Sequence, residues 1–94
     1  MKESVIERYL VKQVKRYGGE TRKVKFVGHD GAPDRMVMLP NDHLLAPIVW
    51  VELKSPTGRL RPAQIREHAR MRALGQLVYV IRTKFEVDAM LELW

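Results

Sequence analysis

Cysteine is absent from the chain, which excludes disulfides and thiolate metal sites and leaves oxygen or imidazole to hold any metal. No apolar run approaches the roughly 18 residues that a membrane span requires, and the first residues lack the apolar core of a secretory signal. The reading is a cytoplasmic protein with no membrane partner. No internal repeat, low-complexity run or linker divides the sequence, so its 94 residues are read as one domain, 1–94, with room for a single modest core. Negative charge is scarce: 17 Lys and Arg face 11 Asp and Glu, a formal charge of +6. That balance favours polyanionic partners. The histidines, His29, His43 and His68, are not spaced as a zinc set.

What is present reads as alternating helix and strand. Over residues 3–17, Ile6, Leu10, Val14 and Tyr17 recur at helical spacing with Lys12, Lys15 and Arg16 on the other side, and Gly18-Gly19 ends the helix. Glu7 lies at the edge of that apolar stripe and is expected to face the body of the protein. Residues 21–27 alternate as a half-exposed strand with a basic polar face. A Gly/Pro turn then delivers Asp34 to an apolar strand over 36–39, and a long loop over 40–47 returns the chain as a strand over 48–54. Pro62 opens a helix that Gly75 ends. Two stripes compete for its buried face, Ile65-Ala69-Ala73 and Gln64-His68-Met71 with Leu74 and Gly75. The second is preferred, because it leaves Arg66 and Arg70 solvated and aims Gln64 inward. Leu77 to Ile81 is a continuous apolar run, expected as a central strand with both faces covered. Thr83 and Glu86 form a capping box for a last helix reaching Trp94. Tyr9, Tyr17 and Tyr79 sit at apolar positions and are expected in the core. The order is αβββαβα, an α/β fold with a mixed sheet flanked by helices.

One feature breaks this pattern. In Val49-Trp50-Val51-Glu52-Leu53-Lys54 a carboxylate and an ammonium interrupt an apolar strand, and residues two apart share a face. Glu52 and Lys54 therefore project together, while Val51 and Leu53 point into the core. Asp34, delivered by the upstream turn, is the second carboxylate. Acids collected at one point with a lysine suit phosphodiester hydrolysis, where hard cations on carboxylates neutralise phosphate charge. The rival reading, a buried ion-pair network serving stability, is a poor stabiliser beside apolar packing.

The ordered set Gly31-x-Pro33-Asp34, Glu52-x-Lys54 and Gln64, preceded by the helical Glu7, resembles the VRR-Nuc (virus-type replication-repair nuclease) family of the PD-(D/E)XK superfamily. The resemblance covers nearly the whole chain and implies a restriction-endonuclease-like core, αβββαβ(α). It further implies that Asp34 and Glu52 bind Mg²⁺ or Mn²⁺ with the Leu53 carbonyl as a third ligand. Glu7 would hold a second metal or an outer water. Lys54 would orient or activate the attacking water, and Gln64 would position Lys54 or that water. Many relatives carry Ser where this chain has Arg61, a departure that ties the helix start to a DNA phosphate. The implied activity is that of a metal-dependent DNA endonuclease leaving a 5′ phosphate and a 3′ hydroxyl. Branched DNA such as Holliday junctions is the expected substrate, in phage or bacterial DNA repair or recombination, within the bacterial or phage-infected host cell. Lys23, Lys25, Arg35, Arg59 and Arg61 flank the site and are expected to grip phosphates. A non-catalytic DNA-binding module of the same fold is the alternative. A domain this small is expected to act as a homodimer, with Ile65, Ala69 and Ala73 as the candidate interface.

Overall fold

The computed structural model describes residues 1–40 and 48–93. Seven elements follow in the order α1 (Glu3–Arg16), β1 (Glu20–Lys23), β2 (Arg35–Met38), β3 (Ile48–Leu53), α2 (Pro62–Ala73), β4 (Val78–Ile81) and α3 (Lys84–Leu91). The strands form one mixed sheet in the order β1-β2-β3-β4. The first three pair antiparallel and β4 lies parallel to β3, with Leu53 opposite Ile81 and Glu52 opposite Val80. A parallel pair needs a crossover, and α2 supplies it. The α/β class, the element order and the mixed sheet are those expected from sequence.

Strand parity divides the sheet. Val49, Val51 and Leu53 of β3 join Val37, Leu39 and Ile81 on one face, where Ile6, Leu10 and Val14 of α1 and Val87, Met90 and Leu91 of α3 close the core. Tyr9 ties these two helices together, its hydroxyl donating to the Asp88 carboxylate at 2.8 Å. Glu52 and Trp50 project from the other face, beneath α2. Gln64, His68 and Met71 are buried there, as the preferred stripe requires, while Ile65, Ala69 and Ala73 are exposed. The Thr83 hydroxyl caps α3 by accepting from the Glu86 amide at 3.1 Å.

Five expectations are corrected. β4 is an edge strand, and its apolar run reflects two covered faces, with α2 on one side and α3 on the other, rather than two neighbouring strands. β1 ends at Lys23; beyond it Phe26 turns its ring edge toward Trp50, with centroids 5.8 Å apart. Leu74 is 80% exposed because α2 has already ended at Ala73, and Tyr17 is 40% exposed at the C-cap of α1. The last helix stops at Leu91. The loop expected over 40–47, with His43, and Trp94 fall mostly outside the described residues. Among the described residues no helix is long and apolar enough to cross a membrane.

One glycine joins the two halves of the site. Gly31 has φ +90°, and a Cβ there would stand 2.3 Å from the Ala63 carbonyl oxygen in the first turn of α2. The turn carrying Asp34 can therefore press against the helix carrying Gln64 only without a side chain. Gly31→Ala should cost more than about 2 kcal/mol in chemical denaturation, combining left-handed strain with that collision. Gly28→Ala, at φ +81° with nothing within 4 Å, should lose only about 1 kcal/mol.

Candidate active site

Glu52 is 2% exposed, near the C-terminal end of β3 and under α2. Its Oε2 accepts from Gln64 Nε2 at 3.1 Å and lies 3.9 Å from Lys54 Nζ. Gln64 is fixed in turn, because its Oε1 accepts from the Arg61 amide at 2.8 Å and caps α2. Local structure thus sets the Gln64 rotamer: the residue serves the helix start with one end and the carboxylate with the other. Asp34 reaches the same place from its turn, with Oδ2 accepting from the Leu53 amide at 2.6 Å. Asp34, Glu52, Lys54 and Gln64 are therefore brought together, with the Leu53 backbone between them.

Glu7 and Arg35 pair with each other. Glu7 accepts from Arg35 Nε at 2.9 Å and has Lys23 Nζ at 3.9 Å. Glu3, not singled out from sequence, is the α1 acid whose charge acts on Glu52. The signal was available. At about 100° per residue Glu3 lies within about 20° of both Leu10 and Val14, and Glu7 lies about 20° from Val14 and about 60° from Leu10, so both acids border the buried stripe. Lys25 and Arg59 are exposed at the surface, and Arg61 faces Asp30 at 3.8 Å.

Electrostatics set the site apart from a stabilising network. Burial, then repulsion from Asp34, pushes the Glu52 carboxyl up to about 8, with Lys54 opposing only in part. His68, fully buried and 3.5 Å from Glu52 Oε1, is held below its usual range by burial and then by Arg72. Neither His68 nitrogen nor Glu52 Oε1 has a hydrogen-bond partner. Such orphaned atoms cost about 1–3 kcal/mol each. Among the described residues no three His, Asp or Glu side chains converge as a ready metal cage. Two carboxylates, one of them with an unpartnered buried oxygen, beside a backbone segment nevertheless match what a hard cation needs when water completes its shell.

No family model matches this chain. A solved structure described as a VRR_NUC domain superposes on it with a TM-score of 0.85 and 34% identity, covering 98% of this chain and 96% of the other. The chain belongs to the VRR-Nuc family. It is also 43% identical over 81 residues to the protein named "Putative nuclease p44" from Acyrthosiphon pisum secondary endosymbiont phage 1, covering 86% of this chain and 83% of that protein. Within this VRR-Nuc domain the Asp34 turn, the β3 end and the α2 start are the segments that converge.

The Glu52 and His68 directions fix a pH signature for the metal-free protein. Glu52 moves from an ordinary 4.5 to about 8 on folding, so its contribution to stability is complete below 4.5 and is lost as pH rises through 8. His68, depressed below 6.5, contributes above 6.5 and loses that contribution on acidification. The two oppose each other below 6.5. Above it Glu52 acts alone, so stability in chelator should fall by about 1.4 kcal/mol per pH unit toward pH 8. Melting curves across that window check this, and Glu52→Gln should flatten them.

Proposed function

We propose that the protein is a divalent-metal-dependent nuclease that hydrolyses DNA phosphodiester bonds. The observation that carries this reading is the Glu52 carboxylate, raised in pKa by burial and then by Asp34 and left with an unpartnered oxygen, in a chain of the VRR-Nuc family. A stabilising ion pair would lower that pKa rather than raise it. Asp34, Glu52 and the Leu53 carbonyl would hold Mg²⁺ or Mn²⁺, which supplies Lewis-acid neutralisation of phosphate charge when bound. Glu3 takes the role of helical acid in place of Glu7, which Arg35 occupies.

The chain's own groups divide the remaining work. Gln64 holds the Glu52 rotamer through Nε2, at a rigid helix start. Lys54, with Nζ 3.9 Å from Glu52 Oε2 and a largely buried stem, presents its ammonium to the phosphate and to the attacking water. Hydrolysis adds water across the P–O3′ bond and leaves a 5′ phosphate and a 3′ hydroxyl. Lys23, Lys25, Arg59 and Arg61 surround this point and contact phosphates on either side. Branched DNA, including four-way junctions, fits a pair of sites related by a twofold axis. Ile65, 54% exposed, and the exposed Ala69 and Ala73 form an apolar stripe on α2 for that homodimer.

Glu52→Gln and Asp34→Asn should each reduce cleavage of plasmid and junction DNA by at least a thousandfold, on the order of 4 kcal/mol, while duplex affinity holds or rises. Glu3→Gln should slow cleavage more than Glu7→Gln does. Cleavage by wild-type protein in chelator, or wild-type turnover by Glu52→Gln, would sink the reading. Binding that is retained with no turnover in any metal would instead identify a non-catalytic module. Light scattering tests the dimer: the wild type should show twice the 11.0 kDa chain mass, and Ala69→Glu should give the monomer.

A further inference from the structure

The outward face of α1 takes no part in the site described above, yet its charge is arranged at a cost. Arg8 and Lys12 are four residues apart, Lys12 and Lys15 three, and Lys12 and Arg16 four. Residues at these spacings are neighbours on a helix surface, and like charges there repel. Three other surface cations have relief, Arg22 pairing with Glu20, Arg61 with Asp30 and Arg70 with Glu67. Among the described residues Arg8, Lys12 and Lys15 have no carboxylate partner. The two acids of α1, Glu3 and Glu7, pair with none of these three, Glu7 being held by Arg35, so the three repulsive pairs suit an anion from outside.

The surface beside the row is concave. A groove of about 580 Å³ runs between Arg8, Lys12 and Lys15 on one side and Arg35 on the other, with Val11 and the Arg35-paired Glu7 also in its lining. It adjoins a second hollow of about 460 Å³ that shares Val11, Lys15 and Arg35 and adds Thr21 and the ion pair Arg22–Glu20. Arg35 is preset, because Glu7 accepts from its Nε at 2.9 Å and Thr21 Oγ1 accepts from Nη1 at 3.1 Å. Scale agrees with a nucleic-acid strand. Arg8 to Lys15 spans about 10.5 Å along the helix axis, and phosphates of one DNA strand advance about 3.4 Å each, so the row matches three phosphate steps. The first turn of the same helix holds Glu3, whose charge acts on Glu52, so the row leads toward the cleavage site. Val11 is the one apolar side chain in the larger groove, too little to insert into a membrane surface.

We propose that Arg8, Lys12 and Lys15, with Arg35 across the groove, form a track for the phosphate backbone of duplex DNA approaching the Glu52 site. This rests on the nuclease reading but assigns a surface on α1 which that reading did not require. Contacts of this kind position the duplex without reading its sequence.

The test uses Glu52→Gln protein, which leaves DNA uncut, and a short fluorescein-labelled duplex titrated by anisotropy over a range of salt. Adding Lys12→Gln and Lys15→Gln should weaken binding at least tenfold at low salt and make the log–log salt slope shallower by about 2, since each lost phosphate contact removes about 0.9. The same pair should raise the melting temperature, because like-charge repulsion is relieved; a row serving the fold would lower it. Arg66→Gln with Arg70→Gln, a charge-matched change on α2, should weaken binding less than threefold. Equal losses from both pairs would reduce the effect to net charge and overturn the track. An unchanged isotherm for the α1 pair overturns the track alone and leaves the nuclease reading standing. No duplex binding by the unaltered Glu52→Gln protein overturns both. Loss of binding to phosphatidylserine vesicles with an unchanged DNA isotherm would assign the row to a lipid surface and overturn it too.

Discussion

Burial of one carboxylate organises this structure. Glu52 sits on a strand whose other face is core, under a helix that admits almost no water, and beside a second carboxylate. A charge so placed is expensive unless it is protonated, paired or bound to a cation. Each neighbouring feature answers that constraint. Gln64 offers an amide rather than a cation, Lys54 stands at 3.9 Å rather than in a close pair, and His68 stays neutral. The surroundings hold the carboxyl in place without satisfying it.

The same constraint explains why the segments meet where they do. The Asp34 turn must touch the start of α2, which Gly31 alone permits, and the loop after β3 is held by the Arg82 guanidinium donating to the Gly58 carbonyl at 3.1 Å. Arg82 itself follows β4, whose Ile81 carbonyl accepts from the Lys54 amide at 3.1 Å. Lys54 is thus anchored by backbone bonding just past the end of β3. Rigidity of this kind is what a site assembled from a turn, a strand and a helix start requires.

Much of this was legible in sequence because it is periodic. The stripe Ile6-Leu10-Val14, the parity that separates Val51 and Leu53 from Glu52 and Lys54, and the α2 face with Gln64 and His68 all follow from 3.6 and 2 residues per repeat. Where periodicity was weak the reading slipped. An apolar run cannot distinguish a strand with two neighbours from an edge strand covered on both faces, so β4 was placed centrally. Alternation over 24–27 continued past the point where pairing stops, because side-chain pattern does not report backbone partners. Glu7 drew notice by lying at the edge of the apolar stripe, and its pairing with Arg35 is long-range and has no local sequence signal.

The arrangement of cations carries the argument one step further. Arg35 is buried enough, with its side chain 16% exposed, to need both Glu7 and Thr21. Those two partners hold a fixed guanidinium at the wall of the α1 groove. An acidic centre would repel a polyanion if it stood alone at the surface. Here Glu52 is recessed beneath α2 while Arg and Lys side chains line the α1 groove, so on the proposed track a phosphate backbone would meet positive potential first and the buried carboxylate only at the reacting bond. Separating the two signs of charge by depth, rather than by distance along the surface, is what allows a domain of 94 residues to hold both in so small an area.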